Sequence, residues 1–142
     1  MDNSDKHLLV KIGQYVLIAN DNNQVLLLQR ERSKNWSLPG GRLDKEDKDW
    51  KQSLIREIKE ETGLTIKNPQ PFEVKLIENP HQTKYCVFFT AKTSDTREFK
   101  ISEEHSSSEW IGKEGLADLV IDDEPKVREV LEHYFSENPN KD

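Results

Sequence analysis

Gly40-Gly41-Arg42-Leu43-Asp44-Lys45-Glu46-Asp47, and after it Arg56-Glu57-Ile58-Lys59-Glu60-Glu61-Thr62-Gly63-Leu64, is the stretch on which the reading of this chain turns. A double glycine delivers the backbone into a segment with helical periodicity. Glu57, Glu60 and Glu61 stand at i, i+3, i+4 and share one face of that helix. The Glu57/Glu61 pair is like-charged at i, i+4, which disfavours an isolated helix by roughly 0.2–0.5 kcal/mol. Arg56 can answer Glu60 four residues on, but no basic residue of the helix stands three or four positions from Glu57 or Glu61. Carboxylates that the helix does not neutralise call for an outside cation.

The rest of the helix follows from its apolar stripe. Leu54, Ile55 and Ile58, with Trp50 one turn earlier, form the face that buries. The helix is expected to start near Asp47 to Trp50 and to stop at Gly63, a residue suited to the left-handed C′ position. Stripe and glutamate face are adjacent, so the helix can dock on a sheet while presenting carboxylates at its rim.

Outward from it, the chain alternates strands and helices. Leu8 to Ala19 reads as a strand, unbroken or interrupted at Gly13. Asp21 to Gln24 is turn material, and Val25 to Arg30 is a second strand, apolar on both faces, so the two suggest a hairpin. Thr65-Ile66 and Pro71 to Glu78 are extended, Asn79 to Gln82 turns, and Lys84 to Lys92 is a strand apolar on both faces and therefore central. Ser94 to Lys100 is a polar loop or hairpin, Glu109 to Ile111 a short strand, and Gly112 to Leu119 a short helix. Asp122 or Asp123 caps a last helix with Pro125 in its first turn and Val127, Val130, Leu131, Tyr134 and Phe135 as its stripe. The expected architecture is of the α/β class, a mixed sheet flanked by helices.

The 142 residues fit one domain, 1–142, with flexible ends at 1–5 and 137–142. A net charge of −6 and a pI near 5.3 argue against an extended nucleic-acid footprint, which needs a basic surface. They leave room for a small phosphorylated ligand whose charge a metal screens. The single cysteine, Cys86, lies in an apolar run and reads as a buried structural thiol. Neither a signal-like start nor an apolar run of about 18 residues occurs, so a cytoplasmic protein without a membrane partner is expected.

The segment Gly41 to Leu64 resembles the Nudix box, the signature of hydrolases acting on nucleoside diphosphates linked to another moiety. The box reads Gly, five residues, Glu, seven residues, then Arg-Glu-apolar-x-Glu-Glu-x-Gly-apolar. Its second half matches at Arg56, Glu57, Ile58, Glu60, Glu61, Gly63 and Leu64. In the first half Gly41 stands one residue too far from Arg56, and Lys48 occupies the place of the first glutamate. A one-residue insertion around Lys48 brings Asp47 or Glu46 to that place. Trp36-Ser37-Leu38-Pro39-Gly40-Gly41, Ser102 to His105, and Glu109-Trp110-Ile111 with Gly115-Leu116 extend the likeness over about Leu8 to Phe135. It implies the Nudix α/β/α sandwich with a loop–helix–loop.

The resemblance also implies the site. Glu57, Glu60 and Glu61 would be metal ligands, Gly41 would ligate through its carbonyl, and Arg56 would orient the glutamates by an ion pair. Glu104, or its neighbour Glu103, would supply a further ligand or the general base; on the residues alone an exposed loop acid competes with that role, and His105 and His81 are either bases or solvated histidines. The cofactor would be Mg²⁺, with Mn²⁺ a possible substitute. Hydrolysis of a phosphoanhydride requires screening of phosphate charge and a positioned water, and Mg²⁺ held by one or two carboxylates does both. Gly40 and Gly41 border the substrate, and Arg30 and Arg42 could reach its phosphates. Trp36, Phe72 and Tyr85 could stack a base, with core packing the default for strand aromatics, and Trp110 is structural.

For the substrate, a nucleotide bound by a monomer or homodimer, compact length and the Glu-Glu-His loop favour a nucleoside triphosphate cleaved to monophosphate and pyrophosphate. Pro80, sixteen residues beyond Leu64, leaves ADP-ribose or a nucleotide sugar open, and Tyr85 a dinucleoside polyphosphate. The disturbed first half of the box leaves a non-catalytic nucleotide-binding module as the reading from another class.

Overall fold

The computed structural model describes residues 6–94, 105–121 and 126–139. The elements are β1 (Lys11–Ala19), β2 (Val25–Arg30), β3 (Trp36–Ser37), β4 (Gly40–Arg42), α1 (Trp50–Thr62), β5 (Lys67–Asn79), β6 (Gln82–Lys92) and β7 (His105–Ile111). A 3-10 helix (Lys113–Asp118) and α2 (Val127–Glu137) follow. All seven strands join one mixed sheet. β6 lies between β1, which it pairs in parallel, and β5, which it pairs antiparallel.

Alternation along the strands builds two cores. Val16, Ile18, Leu26, Leu28, Phe89 and Ala91 meet Leu54, Ile58 and Leu64 on the α1 face. Tyr15, Leu17, Val25, Leu27, Cys86 and Phe88 meet Val127, Val130, Leu131, Tyr134 and Phe135 on the α2 face. This is the α/β/α sandwich expected. Fully burying each of Leu54 and Ile58 contributes about 1.5–3 kcal/mol to holding α1 on the sheet.

The end signals of α1 are local. Asp49 is its N-cap, and its side chain accepts from the N–H groups of Lys51 and Gln52. Gly63 closes it at φ 78°, with its N–H donating to the Lys59 carbonyl, while Lys59 Nζ donates to the Gly63 carbonyl. The turn from β5 to β6 is closed by Asn79 Oδ1, which accepts from the N–H groups of His81 and Gln82.

The expected hairpin departs from its simplest form. β1 starts at Lys11, not Leu8, and runs through Gly13 without a break. It pairs with β2 at Ala19↔Val25, after which the chain from Trp36 to Arg42 enters between them. There β3 pairs with Leu28 and Gln29 of β2, and β4 pairs with Gly13 to Tyr15 of β1. The wedge closes because Val16 N–H donates to the Pro39 carbonyl, and because Gly40 has no side chain. A Cβ at Gly40 would stand 2.1 Å from the Gln14 carbonyl oxygen, and its φ of +149° is open to glycine.

Four expectations fall outside the described residues: flexible ends at 1–5 and 140–142, the loop through Lys100, the roles of Glu103 and Glu104, and capping at Asp122 or Asp123 with Pro125. The N-cap of α2 is Lys126, in the left-handed region at φ 70° and without a side-chain capping bond. Tyr85 does not pack in the core: it is 37% exposed, and its ladder neighbours Ile12 and Leu76 are exposed with it. Trp36, Phe72 and Trp110 are partly buried against the two cores.

Candidate metal and phosphate site

The site is assembled from the turn after the double glycine, one flank of α1 and the start of β7. Glu61 spans the wedge between β1 and β2. Its Oε2 accepts from the Gly40 N–H at 3.2 Å, and its Oε1 lies 3.8 Å from His105 Nε2. His105 stands opposite Arg30 in the β2–β7 ladder, so the last residue of β2 reaches the same quarter. Gly41 lies beside Gln14 in the β1–β4 ladder.

One turn earlier, Glu57 faces the loop that leaves β4. The carboxylate oxygens of Asp44, Asp47 and Glu57 lie within 4.8 Å of one another. The loop is shaped by its own acids: Asp47 Oδ2 accepts from the Asp44 N–H, and the Asp47 N–H donates to the Asp44 carbonyl. Leu43 N–H donates to the Ile12 carbonyl and pins the loop to β1. The Glu57 carboxyl is held above its ordinary range, first by burial and then by the negative charge of Asp47; Arg56 works against this, while Asp44 and Glu60 add to it. Glu57 Oε2 is buried and has no hydrogen-bond partner among the described residues.

That orphaned oxygen tests whether a cation fits. Glu57 Oε2 faces two further carboxylates and meets no donor among the described residues, the condition that an oxygen-loving divalent cation relieves. Glu57 with the adjacent Asp44 and Asp47 are the residues that fit.

Arg56 was expected to answer Glu60 and to orient the glutamates directly. Instead its Nη2 donates to Asp47 Oδ1 at 3.0 Å, because the loop folds Asp47 back against α1 within reach of Arg56. Of the two acids considered for the displaced glutamate, Asp47 therefore sits in the cluster. Glu46 is exposed, and no contact places it there. Glu60 is exposed on the outer edge of the glutamate face, and Arg42 is exposed on β4. His81 is exposed on the β5–β6 turn, and the polar depression formed by Asn20 to Gln24 with Lys92 and Tyr134 lies at the other end of β1.

Two polar residues of this quarter escaped the reading of the residues. Asp44 had no signal beyond its place in an acidic run. Gln14 had one: it is the polar residue inside the buried run from Gly13 to Ala19, where it is 4% exposed.

Residues 10–134 match the NUDIX domain. A putative 8-oxo-dGTP diphosphatase of Bacillus subtilis (strain 168) is 41% identical over 51 residues, covering 36% of this chain and 34% of that protein, so the chain spans about a third of its length. The asymmetrical bis(5'-nucleosyl)-tetraphosphatase of Mus musculus is 28% identical over 137 residues, 92% of this chain and 88% of that one. The crystal structure of a MutT protein from Methanosarcina mazei Go1 superposes with a TM-score of 0.76 at 26% identity, over 94% of this chain and 99% of that one. With the domain matched over most of its length and its sandwich shared with a MutT protein, the chain belongs to the Nudix family of hydrolases.

Proposed function

We propose that this chain is a Mg²⁺-dependent pyrophosphohydrolase that cleaves a nucleoside triphosphate to the monophosphate and pyrophosphate. The observation that carries the reading is the cluster of Asp44, Asp47 and Glu57, in which the buried Glu57 Oε2 has no hydrogen-bond partner among the described residues. When bound there, the cation screens phosphate charge and polarises the phosphoanhydride.

The protein's own groups do the rest. Glu57 and Glu61 hold the cation, with Glu60 at the outer edge and the Gly41 carbonyl beside them. Asp47 steadies Arg56, and through it the loop that carries Asp44. His105, beside Glu61 and partly buried, is placed to hold a proton at Nε2. Arg30, at the mouth of the wedge, and Arg42, on β4, offer guanidinium groups to the phosphates. Glu104 is the proposed general base, in keeping with its place one residue before His105.

The relative named for 8-oxo-dGTP and the MutT neighbour support a nucleoside triphosphate. A second reading, hydrolysis of a dinucleoside polyphosphate, has its own support in the mouse relative, which aligns over far more of the chain. The experiment is a panel of dNTPs, NTPs, ADP-ribose, NADH, dinucleoside polyphosphates and capped RNA, with phosphate products measured with and without Mg²⁺. Preferred hydrolysis of a dinucleoside polyphosphate would shift the assignment to the second reading. Tight binding of one compound without hydrolysis would make the chain a nucleotide-binding module.

A further inference from the structure

Two buried side-chain oxygens have no hydrogen-bond partner among the described residues, Gln14 Oε1 and Glu57 Oε2. Both belong to one quarter of the molecule. Gln14 alternates on β1 with Val16 and Ile18, which pack in the α1-face core with Leu54 and Ile58, so its side chain projects to the α1 face. Its ladder partner is Gly41, and the neighbouring Ile12 carbonyl pins Leu43, from which the chain runs on to Asp44 and Asp47. Glu57 approaches those same two acids from α1.

An amide oxygen buried to this extent without a partner among the described residues is costly where an apolar side chain would pack, and β1 is otherwise apolar from Tyr15 to Ala19. Gln14 Oε1 and Glu57 Oε2 lack donors among the described residues, and a hydrated cation supplies them. Mg²⁺ in particular dehydrates reluctantly and keeps several waters, whose O–H groups donate.

We propose that Gln14 is a positioning residue of the cation site, its amide oxygen accepting a hydrogen bond from a water in the hydration shell of the cation that Glu57 carries. The inference rests on the reading of α1 as a cation-binding helix. Gln14 touches neither substrate nor cation; it orients the shell, as outer hydrogen-bond partners do at metal sites generally.

The test is Mn²⁺ binding, read as loss of the free-ion electron paramagnetic resonance signal, alongside thermal melting of the metal-free protein. The proteins are wild type, Gln14→Met, Gln14→Glu and Glu57→Gln. Gln14→Met keeps the volume and removes the acceptor; it should weaken Mn²⁺ binding by about tenfold or more, with the metal-free melting temperature unchanged or raised. Gln14→Glu keeps an acceptor and adds charge, and should bind at least as tightly as wild type while melting lower without metal. Wild-type affinity in Gln14→Met, or a fall in metal-free stability with affinity unchanged, would overturn the inference and leave Gln14 a packing role. If Glu57→Gln alone loses affinity, only the Gln14 inference fails. If Glu57→Gln also binds as wild type does, the reading of the site itself fails.

Discussion

Glu57→Gln should make the metal-free protein more stable and the metal-bound protein less so. The carboxylate oxygens of Asp44, Asp47 and Glu57 lie no more than 4.8 Å apart. A like-charge pair at that distance costs about 0.9 kcal/mol at the dielectric of water and about 3.5 kcal/mol at an effective dielectric of 20. Arg56 offsets part of this through Asp47. The half-buried setting of Glu57 then suggests a net relief of about 1–2 kcal/mol on neutralisation, or about 3–7 °C in Tm for a chain of this length. The wild type should instead gain about 2.7 kcal/mol, roughly 8–10 °C, at Mg²⁺ one hundred times its Kd. Differential scanning calorimetry of both proteins, with EDTA and with Mg²⁺, reads both effects. A variant that melts below wild type in EDTA and keeps the full Mg²⁺ shift would refute the reasoning, because Glu57 would then be neither strained by its neighbours nor a holder of the cation.

Other outcomes follow from the same geometry. Glu60→Gln and Glu61→Gln should each lower kcat by about 10² or more while circular dichroism stays native, and wild-type turnover in either would remove that residue from the metal site. Gly40→Ala puts a Cβ against the Gln14 carbonyl and the Tyr15 Cα, and should cost more than about 3 kcal/mol; Gly41→Ala, with nothing within 4 Å of its Cβ, should stay within about 1 kcal/mol of wild type in urea unfolding. His133 bridges Glu73 and Glu137 at 3.0 Å from each, and the hydrogen bonds its ring donates to these two carboxylates raise its pKa above the ordinary value. A raised folded-state pKa gives stability that is fully present below the unfolded value and lost as pH rises through the folded one. The Tm advantage of wild type over His133→Gln should therefore be largest near pH 5.5 and shrink by pH 8.5, and an advantage that grows with pH would contradict the bridge.

Much of this was legible in the residues because the signals were local. The N- and C-terminal ends of α1 are written in Asp49 and Gly63, its buried face in Leu54 and Ile58, and the two cores in strand alternation. The parting of β1 from β2 was not legible. Their pairing is decided by Gly40 and Pro39, which dock on β1 from a segment that local pattern marks only as extended. The partner of Arg56 was missed for a related reason. Helical spacing nominated Glu60, whereas a loop acid nine residues back, outside any periodicity, won by tertiary placement. Gln14 carried a signal, polarity inside an apolar strand, whose meaning depends on the neighbour Gly41 that only the sheet register supplies.

The proposed role of the α1 acids is to serve the cleavage of a nucleotide phosphoanhydride. ³¹P nuclear magnetic resonance of a dNTP incubated with the protein and Mg²⁺ tests it most directly, with Glu61→Gln beside wild type. Wild type should give monophosphate and pyrophosphate in equal amounts and none in EDTA, and Glu61→Gln should lose about 10² or more of the rate. Equal rates with and without metal, or an undiminished rate in Glu61→Gln, would contradict it.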